Sequence, residues 1–195
     1  MSRRLVRLAM AALAILLAIP AGTAARAGVA EWEALNDKRG VVVLMRHAIA
    51  PGGGDPPEFR LGDCRTQRNL SGEGRAQARL VGQQIRASGV EIADVLSSPW
   101  CRSNDTARLL GVGDVTTRGY LGSTFTAPRS VAAVREARTK RLIESHRGEE
   151  GIVIIVGHYA NIMDLTGLAT DSGEGIAVRM NRDGELDVIG RLPAP

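Results

Sequence analysis

This 195-residue sequence predicts an α/β fold: a mainly parallel central sheet with helices on both faces and a C-terminal hairpin at one edge. Three observations predict it. Apolar, β-branched runs at 41–45, 92–98 and 151–158 have the composition of strands buried on both faces. Segments of helical periodicity separate them, and strand-helix alternation of this kind argues parallel strands covered by helices. Near the C-terminus, GIAVRM and LDVIGRL flank Asn181-Arg182-Asp183-Gly184, and Asp-Gly between alternating runs is a hairpin signal.

The elements follow in order. VVVLM at 41–45 is the first strand. Ser71 has the character of an N-cap, and the helix it opens carries Ala78, Val81 and Ile85 on one face and ends at Gly89. IADVLSS at 92–98 is the second strand and 100–111 a short helix. Residues 129–147 form a long helix whose apolar side is read as Val131, Val134 and Leu142. GIVIIVGH at 151–158 is the third buried strand, and ANIMDLTGL continues as helix. The longest irregular segment, 49–64, is dense in Gly and Pro, and a loop that long in a compact domain is usually functional or mobile.

The first 27 residues stand apart. A basic head, MSRRLVR, precedes the apolar run LAMAALAILLAIPAG, and Ala25-Arg26-Ala27 has the small-x-small form of a cleavage site. This is the layout of a secretory signal peptide cleaved after Ala27, which places residues 28–195 in the periplasm or outside the cell as a single domain. The alternative is an uncleaved anchor, but the apolar run falls short of the roughly 20 residues a spanning helix needs. Membrane attachment is expected only through an uncleaved leader.

The leader also carries the chain's charge. Of 25 Lys and Arg, four (Arg3, Arg4, Arg7 and Arg26) lie in it with no acid, leaving 21 basic against 21 acidic residues in the remainder. A neutral domain with two Trp, two Tyr and two Phe has no basic surface interleaved with aromatics, so nucleic acid is not an expected partner. Two cysteines, Cys64 and Cys101, sit in a chain bound for an oxidising compartment. An even count favours a disulfide between them, and two buried thiols are the alternative.

In open parallel sheets ligands bind beyond the carboxyl ends of the strands. Here the first strand ends in Arg46-His47 and the third in Gly157-His158. The second runs into SSPWCR, with Arg102 in the first turn of a helix. Two arginines and two histidines at one rim describe an oxyanion site. Guanidinium matches phosphate with paired hydrogen bonds, a helix N-terminus adds N–H donors, and neutral imidazole can attack phosphorus. The third histidine, His146, near the end of the long helix, reads as an exposed residue favoured by the helix dipole.

LMRHA, SSPWCRSNDTA and VGHYANI resemble, in order and spacing, the three motifs of the histidine phosphatase superfamily. Asn69-Leu70-Ser71-x-x-Gly74-x-x-Gln77-Ala78 is similar to the segment that opens the first large helix in that family. The resemblance spans roughly 40–180 and implies a phosphoglycerate mutase-like fold. By it, His47 is the nucleophile that takes the phosphoryl group, Arg46 and Arg102 hold the phosphate oxygens, and His158 donates to the phosphoryl group. Water then hydrolyses the phosphohistidine. It implies no metal and no other cofactor, and the GGGD and DC stretches lack ligand spacing.

The chain departs from the family's pattern in two ways. Ala48 stands where many members have Gly. The segment after Asp114 holds no carboxylate until Glu136, so the usual general acid is missing, and Asp105 reads as structural. Glu174, in DSGEG, is the remaining candidate for that acid. The expectation is an exported metal-independent phosphatase acting on small phosphomonoesters, phosphoramidates or envelope sugar phosphates. The competing readings are a non-catalytic binder of phosphorylated envelope molecules and a phosphomutase. The sequence says nothing of oligomeric state.

Overall fold

The computed structural model describes residues 22–195. Most of the expected leader lies outside the described residues; only its last six fall within them, opening helix α1 (Gly22–Glu33). Six strands form one sheet: β1 (Val42–Arg46), β2 (Ile92–Ser97), β3 (Val115–Thr117), β4 (Ile152–Gly157), β5 (Gly175–Met180) and β6 (Leu186–Leu192). Their order is β3-β2-β4-β1-β5-β6. The first four strands in that order run parallel, and the β5-β6 hairpin adds antiparallel to β1 at one edge. The mainly parallel sheet with a hairpin at its edge is the predicted fold.

Alternation along β1 shows how the sheet is covered. Val43 and Met45 face a core made with Trp32 and Leu35, with Val81 and Ile85 of α2 (Gly72–Ser88) and with Ala107 and Leu110 of α3 (Cys101–Leu110). Val42 and Leu44 face the opposite core, closed by Ile143 of α4 (Arg129–Ser145) and Ile162 of α5 (Tyr159–Thr166). The β1, β4 and β5 residues of both clusters are almost wholly inaccessible, which is why these strands read as unbroken apolar runs. No helix among the described residues is long and apolar enough to cross a membrane.

Local signals set the boundaries. Ser71 Oγ accepts from Gly74 N at 3.0 Å, and Gly89 ends α2 in the left-handed conformation. Gly74 is required by space: a Cβ there would lie 2.0 Å from the Ile49 carbonyl oxygen. The first turn of α2 therefore packs directly on the chain leaving β1.

Two sequence readings need correction, and two elements escape the sequence. Val131 and Val134 of α4 are solvent-exposed, while Leu142 does pack against the core; the inward side otherwise carries Ala132, Arg135, Thr139 and Ile143, more polar because α4 also supports the loop before it through Arg135 and the Ser123 carbonyl. His146 is half-buried, its Nε2 3.0 Å from the Gly151 carbonyl oxygen, and is not a free exposed residue. Strand β3, three residues long, is too short to show periodicity. Helix α1, which packs Trp32 into the core, was hidden behind the leader reading.

Candidate active site

The carboxyl ends of β1, β2 and β4 open into one cavity of about 550 Å³. Arg46, His47, Arg102 and His158 all line it, so the structure brings the four strand-end residues together. Backbone pairing carries them there. His47 N donates to the Gly157 carbonyl and Ser98 N to that of Val156, which holds the chain in register just past the strands.

His47 is 2 % exposed. Its Nδ1 lies 2.8 Å from its neighbour's carbonyl, Ala48 O, which fixes the proton on Nδ1 and leaves Nε2 with a free lone pair. Burial lowers its pKa to about 3; the Ala48 hydrogen bond opposes this, and Arg102, Arg68 and Arg46 add to it. His47 is thus a neutral imidazole throughout the physiological range. His158 is also buried, and burial, then His47 and Arg102, push its pKa well below the ordinary value. Its Nε2 stands 2.7 Å from Ser98 Oγ, and its ring meets that of His47 edge-on at 5.6 Å.

Three guanidinium groups surround these rings, one more than the sequence reading named. Each is anchored through its terminal nitrogens. Arg46 Nη1 donates to Thr170 O at 2.6 Å. Arg68 Nη1 donates to Ala50 O and Gly52 O at 2.5 and 2.8 Å. Arg102 Nη1 donates to Asp55 Oδ1 at 2.6 Å and Nη2 to Oδ2 at 3.3 Å. In all three the Nε–H is buried without a partner. An orphaned buried donor costs roughly 1–3 kcal/mol, more on a charged group. Three of them at one cavity mark the place of an anion supplied from outside. The cost of crowding the cations shows at Arg68, whose pKa is lowered by burial first and Arg102 second.

Asp55 completes the frame. Besides Arg102 it accepts from Arg68 N at 3.1 Å and from Trp100 Nε1 at 2.9 Å. Burial alone would raise its pKa, but the hydrogen bonds from Arg102, Arg68 N and Trp100 outweigh that and hold it below the usual carboxylate value. Both oxygens are saturated with donors, so Asp55 is an ionised strut rather than a reservoir of protons. A disulfide joins Cys64 to Cys101, Cα–Cα 5.7 Å, and ties the end of the Asp55 loop to the residue before Arg102.

Glu174 does not come to the cavity. Its carboxylate pairs with Arg191 of β6 and accepts from Asp171 N at 2.8 Å, so it braces the turn into β5. The structure therefore does not place it to protonate a leaving group. Asp105 pairs with Arg75 at 3.0 Å, the structural part expected of it. Among the described residues no group of three or more His, Cys, Asp or Glu is placed to share a metal ion.

Sequence reasoning passed over Arg68, Asp55 and the aromatic residues of this cavity. Arg68 had the better signal, standing in RNLS just ahead of a capped helix; Asp55 lies in an aperiodic Gly/Pro loop with none.

Comparison with known proteins bears on the family and the fold. The family model of the histidine phosphatase superfamily (branch 1) matches residues 42–118. The fold is similar to that of the protein histidine phosphatase SixA complexed with tungstate, at 19 % identity and TM-score 0.55, covering 78 % of this chain and 96 % of that one. It is similar to a phosphoserine phosphatase mutant from Entamoeba histolytica in complex with phosphoserine, at 15 % identity and TM-score 0.58, covering 78 % and 96 %. It is also similar to a mycobacterial glucosyl-3-phosphoglycerate phosphatase in complex with VO3, at 18 % identity and TM-score 0.56, covering 78 % and 99 %. At these identities the likeness is one of fold. No curated protein matches the chain.

Proposed function

We infer that this chain, a phosphatase of the histidine phosphatase superfamily by its motifs and fold, is exported and works through a covalent phosphohistidine on His47. The observation that carries the reading is that Arg46, Arg68 and Arg102, each with an unpartnered Nε–H, line one cavity with a His47 whose Nε2 is unprotonated. A phosphoryl group is an anion whose oxygens match guanidinium edges, and only a neutral histidine is a nucleophile.

The geometry supports these roles. Arg46, Arg68 and Arg102 hold the phosphoryl oxygens through the free Nε edges while their anchored ends stay in place. His47 Nε2 bonds to phosphorus as the bond to the leaving oxygen breaks, and that oxygen departs with the electron pair. We assign His158 the tautomer in which Nε2 accepts from the Ser98 hydroxyl, so that its proton sits on Nδ1 and is donated to a phosphoryl oxygen as charge builds. Water then bonds to phosphorus, the N–P bond breaks, and inorganic phosphate leaves with His47 neutral again. Fixed donors of this kind are each worth on the order of 10²–10³ in rate.

Export is supported by the layout of residues 1–27 and by the disulfide, which persists in oxidising compartments. The substrate is a small phosphorylated molecule. One experiment tests both parts: protein recovered from the periplasm, with its N-terminus read by mass, is mixed with a labelled aryl phosphate and quenched. The expected result is a chain starting at Gly28 with acid-labile, base-stable phosphate on His47. Phosphate on Ser98, or turnover that survives His47→Ala, refutes the mechanism, and an N-terminus at Met1 refutes the cleavage.

A further inference from the structure

The chain contains six aromatic residues in all, and four of them line the catalytic cavity: Phe59, Trp100, Phe125 and Tyr159. A soluble domain ordinarily places its few aromatics in the core, where their area is worth most. Here one Trp, one Tyr and both Phe border the cavity instead. We propose that they form a leaving-group subsite for an aromatic ring, so that aryl phosphomonoesters are the preferred substrates; this rests on the phosphatase reading above.

The subsite is built rather than incidental. Phe59 stacks on Trp100 with ring centroids 5.4 Å apart and an interplanar angle of 19°. Trp100 is fixed in turn by its Nε1 bond to Asp55 and by an edge contact with His158 at 5.3 Å. The guanidinium of Arg46 lies 5.5 Å from the centre of the Tyr159 ring, which sets that ring beside the phosphate clamp. Phe125 is 68 % exposed, a costly place for a benzyl group unless something covers it. Its segment is pinned: Asn161 Nδ2 donates to Gly122 O at 2.9 Å, Thr124 N donates to Asn161 Oδ1 at 3.2 Å, and Thr124 Oγ1 donates to Asp164 at 2.7 Å. The exposed ring is therefore held at the mouth of the cavity.

What the cavity lacks points the same way. With the arginines and histidines committed to the phosphoryl group and the Trp100 N–H to Asp55, the remaining polar side chains lining it are Asp55, Ser123, Thr126 and the phenol of Tyr159. Both Asp55 oxygens are already saturated. A polyhydroxylated leaving group would find three hydroxyls, one of them on an aromatic ring, and no free carboxylate among the described residues of the lining. A flat ring finds faces on several sides, and an aryloxide departs without a proton from the protein.

Two ligand pairs separate the ring from the chemistry. 1-Naphthyl phosphate and acetyl phosphate both have good leaving groups, but only the first has a ring. Phenylphosphonate and methylphosphonate compare binding alone, since neither is hydrolysed. In the wild-type protein phenylphosphonate should inhibit at about tenfold lower concentration than methylphosphonate, the size expected of one to two aromatic contacts. Phe125→Ala, which opens no core cavity because Phe125 is exposed, should shrink that ratio several-fold. It should raise KM for 1-naphthyl phosphate while kcat stays nearly constant, lowering the naphthyl-to-acetyl ratio of kcat/KM. Equal inhibition by the two phosphonates, or a Phe125→Ala effect that is the same on both members of each pair, overturns the subsite. Failure of both phosphates to label His47 overturns the phosphatase reading instead, and the phosphonate ratio still decides the subsite.

Discussion

The disulfide between Cys64 and Cys101 offers the most direct quantitative test of how this site is held together. The bridged residues are 37 apart in sequence, so the bond closes a loop of about 38 residues that contains all of α2 and β2. In the chain-entropy model, cross-linking such a loop removes roughly 13 cal/mol/K from the unfolded state, or about 4 kcal/mol at room temperature. Against a typical total of about 5–15 kcal/mol this is a large share. Cys64→Ser with Cys101→Ser should still fold, because polar contacts hold the same junction: Gln67 Oε1 accepts from Cys101 N at 3.0 Å, and Asn69 Nδ2 donates to Cys64 O at 2.6 Å. Equilibrium urea unfolding should show the midpoint falling by an amount equivalent to 3–4 kcal/mol on the same entropic reckoning. The loop ending at Cys64 carries Asp55, which orients Arg102, so KM should rise several-fold with a smaller change in kcat. A stability loss below about 1 kcal/mol would show that the bridge constrains nothing the fold has not already fixed. An unchanged KM would show that Asp55 keeps its place without it.

Two further tests address the clamp and the nucleophile. Arg68→Ala and Arg102→Ala should each lower kcat/KM by roughly 10²–10³, the cost of a charged donor pair at a desolvated phosphate, whereas exposed Arg108→Ala on α3 should change it less than about twofold; similar losses for Arg68 and Arg108 would remove Arg68 from the clamp. The His47 pKa of about 3 lies below its unfolded value near 6.5, so between those values the unfolded chain binds the extra proton. The stability that neutral His47 contributes is therefore complete above pH 6.5 and is lost as pH falls toward 3, with a slope of about 1.4 kcal/mol per pH unit per histidine; urea unfolding from pH 7 to 4 should show a shallower slope in His47→Asn, and identical slopes would contradict a buried neutral His47.

The parts legible in the sequence are those with a periodic or compositional signature. Strands β1 and β4 read as apolar runs because both their faces are covered, and the end of such a run locates the residue that follows it. That is why the sequence places Arg46, His47 and His158 at one rim. Arg102 followed because it opens a helix. Arg68 and Asp55 belong to the same site but to a loop with no period, and only the fold of residues 49–70 across the strand ends carries them in. Helix α4 misled because Val131 and Val134 look like an inward stripe, whereas its buried positions are Thr139 and Ile143, and the half-buried Arg135 serves the loop around Ser123. Glu174 was near the rim in sequence, and its backbone does pair with Arg46 N at 2.9 Å. Its side chain turned away because Arg191 across the hairpin offers a charge partner.

With Glu174 committed to Arg191 and Asp55 ionised against Arg102, the described residues of the cavity supply no carboxylic acid to protonate a departing oxygen. General acid catalysis is worth about 10²–10⁴ in rate. That factor is withheld from alkyl phosphates, whose alkoxides leave poorly, and is hardly needed by aryl phosphates or phosphoramidates. The same loop that commits Asp55 to Arg102 also sets Phe59 against Trp100. Clamp geometry and ring binding are thus coupled through a single disulfide-tethered segment. A change that freed Asp55 to act as an acid would release Trp100 Nε1 and disturb the Arg102 fork, so the proposed selectivity for good leaving groups rests on how the site is braced as much as on what it lacks.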